Sequence, residues 1–315
     1  MEEIVILGYY WCVNMSAAEE SESDAMQRCA SCGKAGGEDI KLKNCTACYL
    51  VKYCSVKCQK DHRPKHKKEC KKRAAELKDE ILFKQPESNH LGDCPICCLP
   101  VPLDQSKSSL NSCCCKYICN GCSYANKRRE IEGRLEERCP FCRKVTPETE
   151  EEFIEQLRNR AKANDTVALC DIGRDKYDEG DYKSAFDYWT KAAALGDAHA
   201  HFQLSALYYV GKGVEKNIKK QLHHLEQAAI GGQPMARHNL AIMEGRNGRM
   251  DRAAKHWVIA AKLGLDDSLD SLKLAYRDGY VSKEDFDAAL RGYQAAIEAT
   301  KSPQRVEAAK WRQAA

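Results

Sequence analysis

The chain has 315 residues, enough for two or three structural units and an ample buried core. Its 50 Lys and Arg against 46 Asp and Glu leave a formal charge of only +4, so no global field draws it to nucleic acid or to a membrane surface. Nineteen cysteines, most of them in close pairs between residues 29 and 142, demand either a secreted disulfide framework or thiolates held on metal.

The start of the chain favours metal. Met1-Glu2-Glu3 is acidic, and the apolar run Ile4-Val5-Ile6-Leu7 is broken by Gly8 and Asn14, which fits neither a signal peptide nor a membrane span. An intracellular protein is therefore expected, cytoplasmic or nuclear or both, not secreted. Met15-Ser16-Ala17-Ala18-Glu19-Glu20 reads as an ordinary cytosolic beginning, which makes residues 1–14 a candidate gene-model extension. Residues 1–28 together are expected to be a disordered leader, polar from residue 16 onward.

Between residues 29 and 70 the pattern is C-x2-C-x12-C-x2-C-x5-C-x3-C-x7-H-x3-C, made by Cys29, Cys32, Cys45, Cys48, Cys54, Cys58, His66 and Cys70. Spacings of two or three residues let two donors close on one tetrahedral ion, as in structural zinc sites. So short a segment buries little apolar surface, so metal must supply most of its folding energy, roughly 10 kcal/mol or more per site. Gly33, Gly36 and Gly37 suit the turn out of the first pair, and the x3 spacing of Cys54/Cys58 and His66/Cys70 predicts one helical turn for each.

Tyr53-Cys54-Ser55-x2-Cys58-Gln59 followed by His66-Lys67-x2-Cys70 resembles the MYND zinc finger, a module that mostly takes short, often proline-containing peptides. The resemblance implies two zinc ions with interleaved ligands: Cys29, Cys32, Cys54 and Cys58 on one, and Cys45, Cys48, His66 and Cys70 on the other. His62 then lies near the ligands without being one. The basic run from Lys65 to Arg73 admits a nucleic-acid or nuclear-targeting reading. Glu69, Glu76, Asp79 and Glu80 dilute it and few aromatics interleave, so the solvated face of a ligand-bearing helix continuing through Leu77 and Ile81 is expected instead. Residues 71–93 form helix and linker.

Cys94-Pro95-Ile96-Cys97 opens a second eight-ligand candidate and Cys139-Pro140-Phe141-Cys142-Arg143 closes it, with Cys113-Cys114-Cys115 and Cys119/Cys122 between. Tyr124, Ile131 and Leu135 have helical spacing and predict a central helix. Residues 94–143 resemble a RING finger, with one departure: the family's C-x-H frame places Lys116 where a histidine belongs, and lysine is not a zinc ligand in such sites. The third and fourth ligands are drawn from the triplet; Cys113 with Cys114 is preferred, and Cys114 with Cys115 stays open. Cys98 is a spare thiol. The resemblance implies a second pair of zinc ions and ubiquitin transfer by positioning a conjugating enzyme. Ile96 and Pro140 would supply apolar contacts to that enzyme and Arg143 a bridging cation. Equally, Pro140 can shape the knuckle, Ile96 can fill the small core and Arg143 can be solvated.

Residues 144–164 read as a connecting helix, with a capping box at Thr149-x-x-Glu152 and an apolar face of Phe153, Leu157 and Ala161. From 165 to 308 a repeat is visible. Trp189, Leu225, Trp257 and Tyr293 recur at steps of 36, 32 and 36, each followed by alanines; Ile172, Leu204, Leu240 and Leu272 recur at steps of 32, 36 and 32. Asp165, Asp197 and Asp266 or Asp267 suit helix N-caps and Pro234 a first helical residue. Gly211-Lys212-Gly213-Val214 and the Ala-Ala-x-x-Gly endings resemble Sel-one-like repeats, relatives of the tetratricopeptide repeat. About four units are expected, with Ala299-Thr300-Lys301-Ser302-Pro303 marking a terminal cap. His199, His201, His223 and His224 fall in different helices with no cysteine to complete a site, so surface polar positions are expected for them.

The fold expected is mainly α: two small N-terminal cross-brace zinc modules, then an α-solenoid of helix-turn-helix repeats. The function expected is a zinc-binding protein-interaction adaptor, with a RING-type ubiquitin ligase as its enzymatic form, and a non-catalytic scaffold or a nuclear MYND corepressor-like adaptor as alternatives. Partners are proteins or peptides through the finger and solenoid, with a ubiquitin-conjugating enzyme in the ligase form; nucleic acid and membrane are not expected. No P-loop occurs, no Ser-His-Asp set has supporting context, and the repeats leave no room for a methyltransferase domain.

Overall fold

The computed structural model describes residues 28–314, so the expectations for the leader up to residue 27 fall outside the described residues. The chain divides into two units between Asp79 and Glu80.

In the first unit, β1 (Lys43–Asn44) and β2 (Lys52–Tyr53) pair antiparallel, Lys43 opposite Tyr53 and Asn44 opposite Lys52. Helix α1 (Val56–Leu82) follows. The buried cluster consists of Cys29, Cys45, Cys48 and Tyr53, with Leu42 and Val51 packed on it, so three of its four central residues are metal donors. That composition cannot hold a fold by apolar burial alone. Helix α1 starts where Ser55 Oγ accepts the Cys58 N–H at 3.2 Å. Cys54 therefore precedes the helix, and only His66 and Cys70 sit one turn apart within it; the one-turn expectation holds for the second pair alone. Lys65, Lys67, Lys68, Lys71 and Lys72 are exposed along α1, and Lys72 and Arg73 both reach Glu76, as a solvated helix face does.

In the second unit, β3 (Ser108–Asn111) and β4 (Lys116–Cys119) form an antiparallel hairpin, Ser108 opposite Cys119 and Asn111 opposite Lys116. Helix α2 (Asn120–Glu132) begins four residues before Tyr124 and leaves Leu135 outside, because Gly133 closes it by donating to the Arg129 carbonyl. Helix α3 (Glu150–Lys162) is capped by Thr149 Oγ1, which accepts the Glu152 N–H at 3.2 Å; the Glu152 carboxylate reaches back to Glu148 N rather than to the cap itself.

The solenoid helices are α4 (Thr166–Asp178), α5 (Tyr182–Ala194), α6 (Ala198–Val210), α7 (Ile218–Ile230), α8 (Pro234–Arg246), α9 (Met250–Lys262), α10 (Asp266–Arg277) and α11 (Lys283–Ala299). Asp165, Asp181, Asp197, Asn217 and Ser282 accept N-terminal N–H groups, and Pro234 occupies the first turn of α8. Asp266 and Asp267 are not caps. They lie in the first turn after Leu265, where their charge favours the helix dipole, and Asp266 accepts the Tyr293 hydroxyl at 2.7 Å.

The repeating anchors make the core. Trp189, Leu225 and Trp257 are buried on α5, α7 and α9, and Ile172, Leu204, Leu240 and Leu272 on α4, α6, α8 and α10. Trp189 fits because residue 173 is glycine: a Cβ there would lie 2.5 Å from Trp189 Nε1, which donates to the Cys170 carbonyl at 3.1 Å. Arg237 on α8, fully buried, donates to the carbonyls of Leu82 and Lys84 and so satisfies the end of α1 within this unit. Helix α12 (Pro303–Ala314) was not foreseen as a separate element; it packs along α2, with Trp311 on Tyr124 at 5.5 Å between ring centroids and Glu307 accepting from Arg128.

Candidate metal centres

Four of the five CxxC pairs, all but Cys119/Cys122 at the start of α2, are built the same way. The residue after the second cysteine takes a left-handed conformation: Gly33 (φ 74°), Tyr49 (φ 57°), Cys98 (φ 54°) and Arg143 (φ 64°). Its N–H donates to the carbonyl of the first cysteine, at 2.9 Å, 2.9 Å, 2.8 Å and 3.0 Å in the four knuckles. The tight reversal turns both thiols to one side and aims amide N–H groups at them. Glycine adopts that conformation without strain, while the other three residues accept a cost that metal binding offsets. The Cys98 thiol is exposed and joins no donor group, as expected of a spare thiol, while its backbone forms the knuckle turn.

Among the described residues four groups of donors converge, each with its ligand atoms all within 4.8 Å of one another: Cys29, Cys32, Cys54 and Cys58; Cys45, Cys48, His66 and Cys70; Cys94, Cys97, Cys119 and Cys122; and Cys113, Cys114, Cys139 and Cys142. In both modules the first pair joins the third and the second joins the fourth, so the chain crosses over itself to complete the two donor groups.

The separations test the fit to zinc. With Zn–S bonds of about 2.3 Å, the edge of a sulfur tetrahedron is about 3.8 Å. Sγ–Sγ distances are 3.6 Å for Cys32–Cys54 and for Cys54–Cys58, 3.7 Å for Cys45–Cys70, 3.8 Å for Cys97–Cys119 and for Cys114–Cys139, and 3.3 Å for Cys113–Cys142. These are far beyond a disulfide bond of about 2.05 Å. His66 Nε2 lies 3.1 Å from Cys48 Sγ. The donor sets, three of four cysteines and one of three cysteines with a histidine, are those of structural zinc.

The backbone prepares each group for metal. Burial raises the pKa of Cys29, Cys45 and Cys94, yet amide hydrogen bonds outweigh it and hold them at about 6, about 6 and about 7. Cys142 is lowered as well, against its own burial, by the Lys144 amide and by Cys113. One thiol per group therefore favours the thiolate that binds the ion.

Supporting residues fix the rest. His62 is not a donor: its Nδ1 is 3.1 Å from the Tyr53 hydroxyl, and its ring stacks on His66 at 5.7 Å. Of the triplet, Cys113 and Cys114 face the donor group, while Cys115 is buried against Leu157 and the first solenoid helices. Register is the reason: Asn111 pairs with Lys116, and Cys115, at φ 51°, donates its N–H to the Asn111 carbonyl at 2.7 Å to close the hairpin. Lys116 is exposed.

The surface residues expected to meet a conjugating enzyme are disposed unequally. Ile96 and Arg143 are exposed and Pro140 half-buried; Arg143 Nη1 donates to Asn126 Oδ1 on α2 at 3.1 Å. The exposed Phe141 beside Pro140 was missed, although its position inside the Cys139–Cys142 knuckle matches that of Ile96 inside Cys94–Cys97. Also missed was Arg305, which donates to Cys97 Sγ at 3.4 Å and to the Leu99 and Pro100 carbonyls at 3.2 Å and 2.8 Å. No local signal marks it, since it follows the terminal cap at 299–303 and occupies no repeating anchor position.

The four histidines of the solenoid split into two groups. His201 and His224 bring their Nδ1 atoms to 2.9 Å, with His223 exposed beside them, whereas His199 stacks on His90 at 5.6 Å. Three of them are half-buried rather than on the surface: His201 and His224 because α6 and α7 pack together, and His199 because it lies between His90 and Gln233.

The knuckles, donor groups and helical stack define a zinc-binding chain whose larger part is an α-solenoid. Residues 29–70 match the MYND finger family, and this segment is a MYND zinc finger. Over 56 residues the chain is 43% identical to the Helicobacter pylori (strain J99) protein HcpC, named as a candidate beta-lactamase; the match covers 18% of this chain and 19% of that protein. The chain thus spans about a fifth of the length of the curated relative it matches.

Solved structures with similar folds include a Sel1 repeat protein from Oxalobacter formigenes (TM-score 0.41, 25% identity, 49% of this chain and 66% of that one). Others are c5321, a protective antigen of uropathogenic Escherichia coli with an SLR fold (TM-score 0.38, 20% identity, 52% and 37%), and MamA (TM-score 0.30, 20% identity, 47% and 87%).

Proposed function

We propose that this chain is a zinc-dependent adaptor that recruits partner proteins through its MYND finger and its solenoid. The observation carrying this reading is the surface of the finger. Tyr49, Leu50 and Val56 are 63%, 44% and 67% exposed, three large apolar side chains within eight residues of a module whose interior is mostly donors. Exposed apolar groups on a metal-rigidified turn suit capture of a short peptide, as MYND fingers do with proline-containing segments. Four zinc ions per chain are expected, two in each module, and metal analysis of the folded protein tests the count; two would mean that residues 94–143 hold none.

The direct test is capture of cellular proteins by the tagged chain, with and without Tyr49→Ser and Val56→Ser. Partners lost in the variants while zinc content is retained support the adaptor. An unchanged partner set overturns the role of this surface. Metal-held thiolates favour a reducing compartment, so intracellular residence is part of the proposal. Nuclear exclusion of the tagged chain would remove the corepressor form.

A second reading, RING-type ubiquitin ligase, is favoured by the exposed Ile96 and Phe141 in matched knuckles and by Arg143 on the turn after the last donor. Incubation with activating enzyme, a panel of conjugating enzymes, ubiquitin and ATP builds chains under this reading, and Ile96→Ala and Arg143→Ala reduce them. Silence across the panel leaves the scaffold.

A further inference from the structure

A cleft of about 860 Å³ opens within the second unit. One wall comes from the β3–β4 hairpin and its flanks, through Leu91, Leu103, Leu110 and Tyr117; another comes from Phe153 and Ile154 on α3. The solenoid contributes only residues of the alternate helices α4, α6 and α8, the segments leading into them, and Leu265. Its size lies within the range of about 300–1,000 Å³ typical of ligand sites. The segment before Leu91 is fixed by close backbone approach: His90 N donates to the Gly232 carbonyl at 3.0 Å, and a Cβ on Gly232 would lie 2.6 Å from the Ser88 carbonyl.

The polar lining has a definite sign. Glu150, Asp171, Asp175 and Asp197 line the cleft against one guanidinium, Arg174. Asp197 is engaged as the cap of α6 and as acceptor of the Cys170 thiol at 3.3 Å. Asp171, 5% exposed, is paired with Arg174. Asp175 is half-buried one helical turn further along, so two carboxylates share a single cation and a negative charge stays uncompensated in a partly apolar wall. Burial raises the pKa of both, the expected response to that shortage.

Independently, Nδ1 of His90 is buried at the cleft with no hydrogen-bond partner, while its Nε2 lies 3.3 Å from Gln233 Nε2. A buried orphan of this kind marks a place where a further polar group belongs.

We propose that this cleft binds a short segment of a partner protein carrying a lysine or arginine beside an apolar residue. The cation meets Asp175 and the Asp171–Arg174 pair, and the apolar neighbour lies against Leu110, Phe153 and Ile154. A backbone or side-chain group of the segment satisfies His90. Phosphate-bearing ligands are disfavoured by the same carboxylates. The proposal rests on the adaptor reading and adds to it a site separate from the MYND finger.

The test uses the full zinc-loaded chain and fluorescein-labelled, acetylated hexapeptides with a central leucine-X-phenylalanine, where X is lysine, arginine, norleucine or glutamate. Saturable binding is expected for lysine and arginine, roughly ten-fold or more weaker for norleucine, and absent for glutamate. Asp175→Asn should remove the preference for lysine over norleucine, and Ile154→Trp, which fills the cleft, should abolish binding while circular dichroism stays unchanged. If Ile154→Trp unfolds the chain, Asp175→Asn decides alone. Equal affinity for lysine and norleucine, no saturable binding of any peptide, or indifference to Asp175→Asn overturns the proposal. Tyr49→Ser should leave hexapeptide binding unchanged, so failure of the cleft and failure of the finger are read separately.

Discussion

Arg305 places Nη2 3.4 Å from Cys97 Sγ, although 208 residues separate the two. The guanidinium also holds the carbonyls of Leu99 and Pro100, so the C-terminal helix α12 clamps the loop carrying the first two donors of the Cys94 group. Close approach is possible because residue 121 on α2 is glycine: a Cβ there would lie 2.9 Å from the Arg305 backbone nitrogen. Four thiolates around a divalent ion carry net negative charge, and a cation donating to one of them stabilises it.

Removing this donor should loosen the metal. Arg305→Ala is expected to release zinc to a colorimetric chelator with about 10–100-fold weaker retention at one of the sites. Arg305→Lys, which keeps the charge but not the fork, should fall between. Identical release from all three proteins would show that the hydrogen bond does not support the site.

The knuckle turn at Cys98 gives a second expectation. At φ 54° a residue with a Cβ is strained. Cys98→Gly should be neutral or stabilising by up to about 1 kcal/mol, and the β-branched Cys98→Val destabilising by about 1–2 kcal/mol, with zinc content the same in Cys98→Gly. Thermal unfolding of the zinc-loaded proteins checks the order; valine at wild-type stability contradicts it.

Arg237 carries a larger penalty. Burial pushes its pKa down to about 10, and its guanidinium satisfies two carbonyls at the end of α1. Arg237→Ala leaves the buried Leu82 carbonyl unsatisfied and a cavity beside it, costing about 2–5 kcal/mol. Denaturant unfolding measures this, and a loss below about 1 kcal/mol would mean that water replaces the guanidinium.

His90 makes stability depend on acid. Burial, with His199 beside it, pushes its pKa down to about 3 from an ordinary 6.5. The unfolded chain therefore binds a proton that the folded chain refuses between those values. His90 has no cost above about pH 6.5, and the cost grows as pH falls toward 3. His90→Gln should flatten the slope of stability between pH 7 and pH 5, read as the difference in urea midpoint from wild type at matched zinc content. Parallel slopes would show that His90 does not titrate on unfolding.

Most of the donor set was legible locally. Cys29 through Cys70 pair at spacings of two or three residues that bring both donors to one ion, although Cys54 lies ahead of α1 rather than on it, and Trp189, Leu225 and Trp257 mark their helices by period alone. The triplet was not decidable, because choosing among Cys113, Cys114 and Cys115 needs the register of β3 against β4. Asp266 and Asp267 misled for a related reason: a carboxylate serves a helix start both as cap and in the first turn.

The sequence by itself determined the metal chemistry, the MYND finger and the helical repeat, since each depends on residues close in the chain or on a fixed period. Only the tertiary structure decided that Cys115 belongs to the solenoid core, that Arg305 reaches Cys97, and that Asp171, Asp175 and His90 line one cleft. Those relationships join segments up to about two hundred residues apart, and no local spacing records which distant surfaces meet when apolar faces are buried.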